Sequence, residues 1–345
     1  MKPEIIIGVI ILVALGIGGF FILNSMPYEL DGISSTKSEN SYKEFDYREI
    51  ESPGGYVNSD PFTIGQYVGE KVILLDVMTY SCINCQRTFP YLKEWYEKYE
   101  DDGFIIIGIH TPEFAFEKKK ENVEKAMKEF GLDFPIVLDN EYATWNAYGN
   151  RYWPRKYLID INGKVVYDHI GEGDYDVTEK KIQELLEERR EVLGLDNKIE
   201  KDIVKIDSKI GNVKSPETYF GASRNEYLEN SKPGKTGKIS TSEPSEIKPN
   251  SLYLVGDWNI GEESASSLSQ SSKIVYMYSA SKVHLVMSSA EGAVVGIYQD
   301  GEKVKDVSVS DATLYTLIDD EESGDHKLEI RVESGFIEAF AFTFG

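Results

Sequence analysis

The chain has 345 residues, with 37 lysines and arginines against 59 aspartates and glutamates, and a formal net charge of −22 at pH 7. An acidic surface of this kind repels phosphate backbones, which excludes nucleic acid as an expected partner. The length and the 41% hydrophobic content suit two or three folded domains. Only two cysteines are present, so no disulfide framework holds the fold together.

The N-terminal region predicts a membrane anchor. Residues 5–23 are an unbroken run of uncharged, mostly apolar residues. As a helix this run would extend roughly 28 Å, close to the hydrocarbon thickness of a bilayer. No A-x-A site follows it, although a cleaved signal peptide remains the alternative. Lys2 precedes the run and acidic residues follow it closely, so the positive-inside preference places the body of the protein outside the cytoplasm.

A polar segment, residues 24–44, is predicted to tether the anchor to the first folded domain. Beyond it, apolar strand patterns alternate with helical patterns from residue 72 to residue 194. Such alternation predicts an α/β domain with a mostly parallel sheet covered on both faces. We place this domain at residues 45–194.

Both cysteines lie in the stretch LLDVMTYSCINCQRTFP. Cys82 and Cys85 are separated by two residues, at the point where an apolar strand over residues 72–77 is predicted to give way to a helix. A disulfide between them would close a very short loop and stabilise the fold little. The pair is therefore predicted to be redox-active.

The position of each residue suggests its role. Cys82 is predicted at the first turn of the helix, where free backbone N–H groups and the helix dipole favour a thiolate, so Cys82 is the expected nucleophile. Cys85 lies one turn deeper and is expected to resolve the mixed disulfide. Asp76 lies on the preceding apolar strand, where burial would raise its pKa and let it exchange a proton with Cys85. Pro90 is expected to kink the helix.

These residues resemble the active-site region of the thioredoxin superfamily, whose members carry a carboxylate six residues before the first cysteine of a C-x-x-C motif. More narrowly, the segments TYSCINCQRTFPYL, IGIHTPEFAFE, YGNRYWPRKYLID and GEGDYDVTE resemble the extracytoplasmic thioredoxin-like domain of DipZ-type proteins, in the TlpA-like branch. One departure is visible, because Val77 and Met78 stand where that family usually has an aromatic pair.

The resemblance implies a thioredoxin-like fold and a thiol-disulfide oxidoreductase that acts on disulfide-containing proteins without a cofactor. It also implies that Pro154 is a cis-proline beside the disulfide and that Trp153 positions the substrate strand. The favoured direction is reduction, again through the resemblance. DipZ-type proteins carry a multi-helix membrane domain that this sequence lacks, so the electron donor is expected to be a separate membrane protein of the CcdA type.

The remainder of the chain is predicted to form a connector and an all-β domain. Residues 195–250 are rich in lysine, serine, glycine and proline, which indicates a connector. Residues 251–345 contain regularly spaced β-patterns, which predict a jelly-roll-like β-sandwich. This domain resembles the carbohydrate-binding module of DipZ-type proteins, so a carbohydrate or protein ligand is possible. Four of its aromatic residues are candidates to contact that ligand, although core positions are favoured for them: Tyr253, Trp258, Tyr276 and Tyr278.

Three other functions are alternatives for parts of the sequence. Zinc needs about four ligands, and the histidines show no paired spacing, so no metal site is predicted. A thiol peroxidase would use Cys82 alone, whereas Cys85 favours dithiol exchange. A non-enzymatic envelope-binding or carbohydrate-binding protein would keep its activity in residues 251–345 without either cysteine. The sequence does not decide between reduction and oxidation by itself.

Overall fold

Two β-sheets organise the part of the chain that the computed structural model describes, which is residues 44–206 and 213–345. The predicted anchor at residues 5–23 and nearly all of the tether at 24–44 lie outside that part. Across residues 44–206 and 213–345, every helix is too short or too polar to traverse a bilayer.

The first sheet has seven strands in the order β1, β7, β6, β3, β4, β5, β2. Its strands are β1 (Phe45–Asp46), β2 (Gly55–Val57), β3 (Val72–Met78), β4 (Phe104–His110), β5 (Ile136–Leu138), β6 (Arg155–Ile159) and β7 (Lys164–Ile170). The central strands β3, β4 and β5 are parallel, and β6 and β7 run antiparallel to their neighbours. The predicted α/β domain is therefore confirmed.

Four α-helices of the described residues accompany this sheet. They are α1 (Ile83–Tyr99), α2 (Lys120–Phe130), α3 (Ala143–Ala147) and α4 (Tyr175–Leu193). The helices α2 and α4 end at Gly131 and Gly194, whose φ angles of 66° and 65° are left-handed and suit glycine. The N-cap residue of α4 is Asp174.

The alternation of side chains along β3 separates two apolar clusters. Leu74 and Met78 face the cluster that contains α1, whereas Ile73, Leu75 and Val77 face the cluster on the other side of the sheet. Asp76 has the parity of Leu74 and Met78, so its carboxyl group points toward α1. The alternation along β3 thus places one ionisable group against α1.

The second sheet has nine strands. They are β8 (Thr218–Tyr219), β9 (Gly237–Thr241), β10 (Leu252–Ile260), β11 (Ala265–Ser267), β12 (Lys273–Ser288), β13 (Ala293–Gln299), β14 (Glu302–Val309), β15 (Thr313–Ser334) and β16 (Glu338–Phe344). The all-β character predicted for this region is confirmed. The pairing differs from the two separate sheets of a jelly-roll-like sandwich, because β10, β11, β16 and β12 pair in a closed ring.

Two features of this sheet depart from the sequence patterns. The β-patterns of the sequence are interrupted at residues 280–282 and 319–326, but in the structure these residues belong to single long strands, β12 and β15. The pairing of the two strands shifts register between Ala280 and Lys282 and between Val283 and His284, where β12 bends. In addition, β8 and β9 lie within residues 195–250, the segment predicted as a connector. Part of that segment therefore belongs to the second sheet.

Candidate functional site

Cys82 and Cys85 lie at the start of α1. Cys82 is the N-cap residue and is partly buried, and Cys85 is completely buried in the first turn. Both sulfurs are free in this structure. The free N–H groups of the first turn give the environment of Cys82 a partial positive charge. Cys82 is thus partly exposed to solvent, whereas Cys85 is not.

Asp76 lies beneath this pair on β3. Its side chain is fully buried, and among the described residues neither carboxyl oxygen has a hydrogen-bond partner. Burial raises its pKa to about 7, against the opposing charge of Lys156. Asp76 can therefore hold or release a proton near neutral pH, as its position on the apolar strand predicts.

Lys156 is a member of the site that sequence analysis missed. It pairs directly with Asp76 across the β3–β6 register, and its side chain is completely buried. Burial lowers its pKa, while the negative charges of Asp76, Cys85 and Glu172 act in the opposite direction. Side chains two residues apart on a strand point to the same face, so Lys156 lies on the same buried face of β6 as Leu158. This spacing is the sequence signal that could have identified Lys156.

Cys85 shares the electrostatic environment of Asp76. Burial raises the pKa of the Cys85 thiol well above its usual value, and the hydrogen bond with Cys82 and the charge of Asp76 raise it further. Ionisation of Cys85 therefore needs a nearby group to take its proton. Asp76 is suited to that task by its proximity and its own titration near pH 7.

A second buried carboxyl group contacts the residue that precedes Cys82. Glu117 is completely buried, and its Oε1 accepts a hydrogen bond of 2.6 Å from the hydroxyl of Ser81, the residue before Cys82. Burial raises the pKa of Glu117 to about 7. Glu117 is the last residue of the IGIHTPEFAFE segment, but no motif or spacing in the sequence distinguishes it from the other acidic residues.

The Trp153–Pro154 peptide bond is cis, as the resemblance implies. The indole Nε1 of Trp153 donates a hydrogen bond of 3.0 Å to the carbonyl of Thr111, and its ring lies 4.3 Å from that of Trp145. Trp153 packs at the margin of the apolar cluster that also includes Cys82 and Cys85. The structure thus brings Trp153 and Pro154 to the start of β6, on the strand that carries Lys156.

Histidine and carboxylate side chains do not gather into a metal centre within residues 44–206 and 213–345. His110 contacts the C-x-x-C region, with its Nε2 at 3.4 Å from the hydroxyl of Thr79. Burial lowers the pKa of His110 to about 3, so this imidazole is neutral at physiological pH.

The candidate ligand-binding aromatic residues of the second domain are core residues. Tyr253, Trp258, Tyr276 and Tyr278 are between 0% and 3% exposed. The indole N–H of Trp258 is bonded to the carbonyl of Val255 inside the domain. None of these four rings is therefore available to stack on a sugar, and the preference for core positions is confirmed.

Two family models match the chain. A model described as Redoxin matches residues 46–186, and one described as Thioredoxin like C-terminal domain matches residues 215–345. The second match begins before residue 251, which agrees with the placement of β8 and β9 in the second sheet.

Individual relatives cover different parts of the chain. Protein DipZ of Mycobacterium bovis is 34% identical over 275 residues, which are 80% of this chain and 39% of DipZ. Thiol-disulfide oxidoreductase ResA of Geobacillus thermodenitrificans is 43% identical over 84 residues, 24% of this chain and 45% of ResA. The chain therefore spans 39% of the length of the DipZ relatives that it matches.

Among solved structures, a thiol-disulfide isomerase from Corynebacterium glutamicum is 22% identical, with a TM-score of 0.37, and the match covers 40% of this chain and 96% of the isomerase. The four segments that carry the predicted resemblance fall inside residues 46–186, the region that the Redoxin model matches. Taken domain by domain, residues 46–186 are similar to the Redoxin family and residues 215–345 to the family described as Thioredoxin like C-terminal domain, and together they resemble the corresponding part of DipZ.

Proposed function

We propose that this chain is a thiol-disulfide oxidoreductase that reduces disulfide bonds in proteins. The single observation that carries the proposal is the arrangement of a partly exposed Cys82 at a helix N-terminus and a fully buried Cys85 above Asp76. The relative ResA, which is named a thiol-disulfide oxidoreductase, supports the same reaction class.

The reaction proceeds in two exchanges. The thiolate of Cys82 attacks one sulfur of the substrate disulfide, forms a mixed disulfide and releases the other substrate sulfur as a thiolate. Asp76 then takes the proton of Cys85, and the Cys85 thiolate attacks the sulfur of Cys82. The mixed disulfide breaks, the second substrate sulfur leaves and collects a proton, and a Cys82–Cys85 disulfide remains. Two electrons have passed from the cysteine pair to the substrate.

Trp153 and Pro154 are proposed to position the substrate strand beside the cysteines. The cis-peptide between them and the packing of Trp153 at the margin of the Cys82 cluster support this role. The role itself comes from the resemblance to thioredoxin-like proteins, and no other residue of the first domain is assigned to it.

The oxidised pair must be reduced again before the next turnover, and the chain carries no cysteine besides these two. We propose a membrane electron donor of the CcdA type, and an anchor at residues 5–23 that holds the protein in the membrane lipid with its body outside the cytoplasm. These parts of the proposal rest on the sequence, because residues 5–23 lie outside the described residues. A carbohydrate ligand of the second domain would need side chains other than the four buried aromatic residues.

The test uses cysteine variants of the full chain with a protein disulfide as substrate. We expect the Cys85→Ser variant to accumulate a mixed disulfide with the substrate, because it attacks but does not resolve. The Cys82→Ser variant should form no adduct. Full turnover of peroxide by the Cys85→Ser variant would instead indicate a thiol peroxidase. A measured reduction potential well above that of reducing thioredoxins would reverse the proposed direction.

A further inference from the structure

The loop that precedes Cys82 contacts the second domain directly. Tyr80 is only 2% exposed, and its hydroxyl donates a hydrogen bond of 3.1 Å to the carbonyl of Ala312, in the turn between β14 and β15. Nearby, Lys125 on α2 forms an ion pair of 2.7 Å with Asp311 of the same turn. The position of a residue two places before the nucleophile is therefore tied to the second sheet.

Glu117 fastens the same loop from another direction. Its Oε1 accepts the hydroxyl hydrogen of Ser81 at 2.6 Å, and its Oε2 accepts the backbone N–H groups of Glu113 at 2.6 Å and Phe114 at 3.0 Å. A buried carboxylate needs such donors, because burial disfavours its charge. One side chain thus links the residue before Cys82 to the segment 113–117.

The segment 113–117 packs against the second domain through aromatic rings. The rings of Phe114 and Phe116 lie 5.2 Å and 4.9 Å from that of Phe340 on β16. Phe114 and Phe340 are almost completely buried, and they share an apolar cluster with Val286 on β12. Aromatic rings at such distances attract each other beyond the effect of their buried area.

Polar contacts support the same interface. The Arg224 guanidinium donates to Oε1 of Glu113 at 2.8 Å, and its central carbon lies 3.6 Å from the centre of the Tyr219 ring. The backbone N–H of Ala115 donates to Oε2 of Glu263 at 2.9 Å. The segment that anchors Glu117 is therefore held by charged and apolar groups of the second domain together.

We propose that the second domain is a structural part of the active site, and that Glu117 is a positioning residue for Cys82. The second domain fixes the segment 113–117, Glu117 fixes Ser81, and Tyr80 adds a direct contact. The proposal rests on the proposed function, because it takes Cys82 as the nucleophile. It gives the second domain a role in the reactivity of the first domain, separate from any ligand that it binds.

Positioning matters here because Cys82 gains its reactivity from its placement against the free N–H groups of α1. A misplacement of about 1 Å in a reacting group can cost roughly a hundredfold in rate. Loosening the Thr79–Ser81 loop would move the Cys82 sulfur relative to the helix terminus, so the stabilisation of its thiolate would decrease.

The test measures alkylation of Cys82 by iodoacetamide as a function of pH, in the reduced full chain with Cys85→Ser, so that Cys82 is the single thiol. We expect Glu117→Gln to lower the alkylation rate at pH 7 by roughly tenfold. This decrease is smaller than the hundredfold one expected for a displacement of about 1 Å, because the variant should move the Cys82 sulfur by less than that. The midpoint of the pH dependence should also move upward. The matched control is Glu179→Gln, since Glu179 is a buried carboxylate bonded to Tyr99 at the far end of α1.

A second variant keeps the test decisive if Glu117→Gln does not fold. Tyr80→Phe removes only the hydroxyl that contacts Ala312. Because this change should displace the Cys82 sulfur less than Glu117→Gln does, we expect the alkylation rate to fall by only about threefold. Its control is Tyr99→Phe, because the Tyr99 hydroxyl is hydrogen-bonded inside the first domain. Both controls should leave the rate unchanged.

Two results would overturn the proposal. One is an alkylation rate in both variants within about twofold of the parent, which would show no misplacement. The other is a downward shift of the pH midpoint in Glu117→Gln, which would show that Glu117 acts through its charge alone. Alkylation by a small reagent does not depend on turnover. Loss of the proposed oxidoreductase activity would therefore be recognised separately, by the cysteine variants with a protein disulfide.

Discussion

Asp76 and Lys156 form an unusual pair because both are completely buried and directly opposed across two strands. Burial disfavours the charged form of each residue, and their mutual attraction restores part of that cost. The balance holds the Asp76 pKa at about 7, where a carboxyl group can both accept and return a proton. The pair is thus suited to serve Cys85, whose sulfur has no direct access to solvent.

Replacing Asp76 by asparagine should slow the resolving step. The asparagine amide cannot take the Cys85 proton, and positioned proton transfer contributes about 10²-fold or more to a rate. We expect a decrease of roughly that size in the release of reduced substrate, measured by stopped-flow in a single turnover. The first attack by Cys82 should be affected much less.

The control for that experiment is Asp160→Asn. Asp160 is also a buried carboxylate, but its Oδ1 accepts the N–H groups of Asn162 and Lys164 in the β6–β7 turn. Its removal should affect stability and leave resolution unchanged. Equal rates of resolution in Asp76→Asn and the parent protein would contradict the role proposed for Asp76.

Replacing Lys156 by methionine should move the pH dependence of resolution upward. The positive charge of Lys156 lowers the pKa of Asp76, so its loss lets that pKa rise further. Since the ionised carboxylate is the proton acceptor, the rate should then reach half its maximum at a higher pH. The measurement is the single-turnover rate of resolution between pH 5 and 9.

Arg155→Met is the matched control for Lys156→Met. Arg155 is the adjacent residue on β6, and it forms an ion pair of 2.5 Å with Asp168, away from Asp76. Its removal should leave the pH midpoint where it is. A midpoint that stays in place or moves downward in Lys156→Met would mean that the lysine does not act on Asp76.

Local sequence patterns predict Asp76, Cys82 and Cys85 because each lies at a fixed distance from a strand end or a helix start. The same patterns do not identify Lys156 and Glu117. Lys156 lies in an apolar strand where a lysine usually projects to solvent, and only pairing with β3 shows that it faces Asp76. Glu117 reaches Ser81 across a long sequence separation, which spacing arguments do not contain.

Among the elements, α4 shows that the residues on the buried face of a helix contribute more to the stability of the fold than those on its exposed face. Leu186 is completely buried against the first sheet, whereas Val192 on the same helix is 60% exposed. Leu186→Ala should lower the free energy of unfolding by about 3 kcal/mol through lost burial and the cavity that remains. Val192→Ala should change it by less than about 0.5 kcal/mol. Urea unfolding of both variants measures the difference, and equal effects would contradict the packing described.

The helices and central strands of the first domain were predictable because each carries a complete apolar period. The strands of the second sheet were harder to predict from the sequence. A register shift bends β12 without interrupting its pairing, so polar residues at the bend divide one strand into two patterns. The strands β8 and β9 are short and partly exposed, and only their partners β16 and β10 make them strands.

For the whole molecule, two buried carboxyl groups should lower stability as the pH rises from about 4 to about 7, against an opposite contribution from His110 and His284, whose pKa values burial lowers to about 3 and about 4. Burial raises the pKa of both Asp76 and Glu117 to about 7, so both stay protonated in the folded chain while their unfolded counterparts ionise at lower pH. At these two groups the unfolded state then binds fewer protons than the folded state, which lowers the free energy of unfolding. Chemical unfolding of the reduced protein and of its Asp76→Asn variant at pH 5 and pH 8 should show this contribution.

Asp76→Asn isolates one contribution to that pH dependence. The variant lacks the ionisable group, so its free energy of unfolding should fall less between pH 5 and pH 8 than that of the parent protein. Other acidic residues of this chain, with its net charge of −22, affect both proteins equally. A decrease of the same size in both would mean that the folded state does not raise the pKa of Asp76.

The packing of the two domains against each other could not be predicted from the sequence. Residues 45–194 and 251–345 each show their own periodic patterns, and these patterns say nothing about which faces meet. The contact depends on particular side chains, such as Phe340 against Phe114 and Tyr80 against Ala312, whose partners lie far away in the chain. Only the folded arrangement reveals that the second domain lies beside the nucleophile.

The nine-stranded sheet also has a terminal strand, β14, at one end of its order. An unpaired strand edge is a template on which another chain can add, and self-association through such edges leads to aggregates. Four charged residues of both signs lie along this strand, Glu302, Lys303, Lys305 and Asp306, and most of their side chains are exposed. The charges make the addition of a second copy costly, so the edge of the sheet itself helps to keep neighbouring copies of the protein apart.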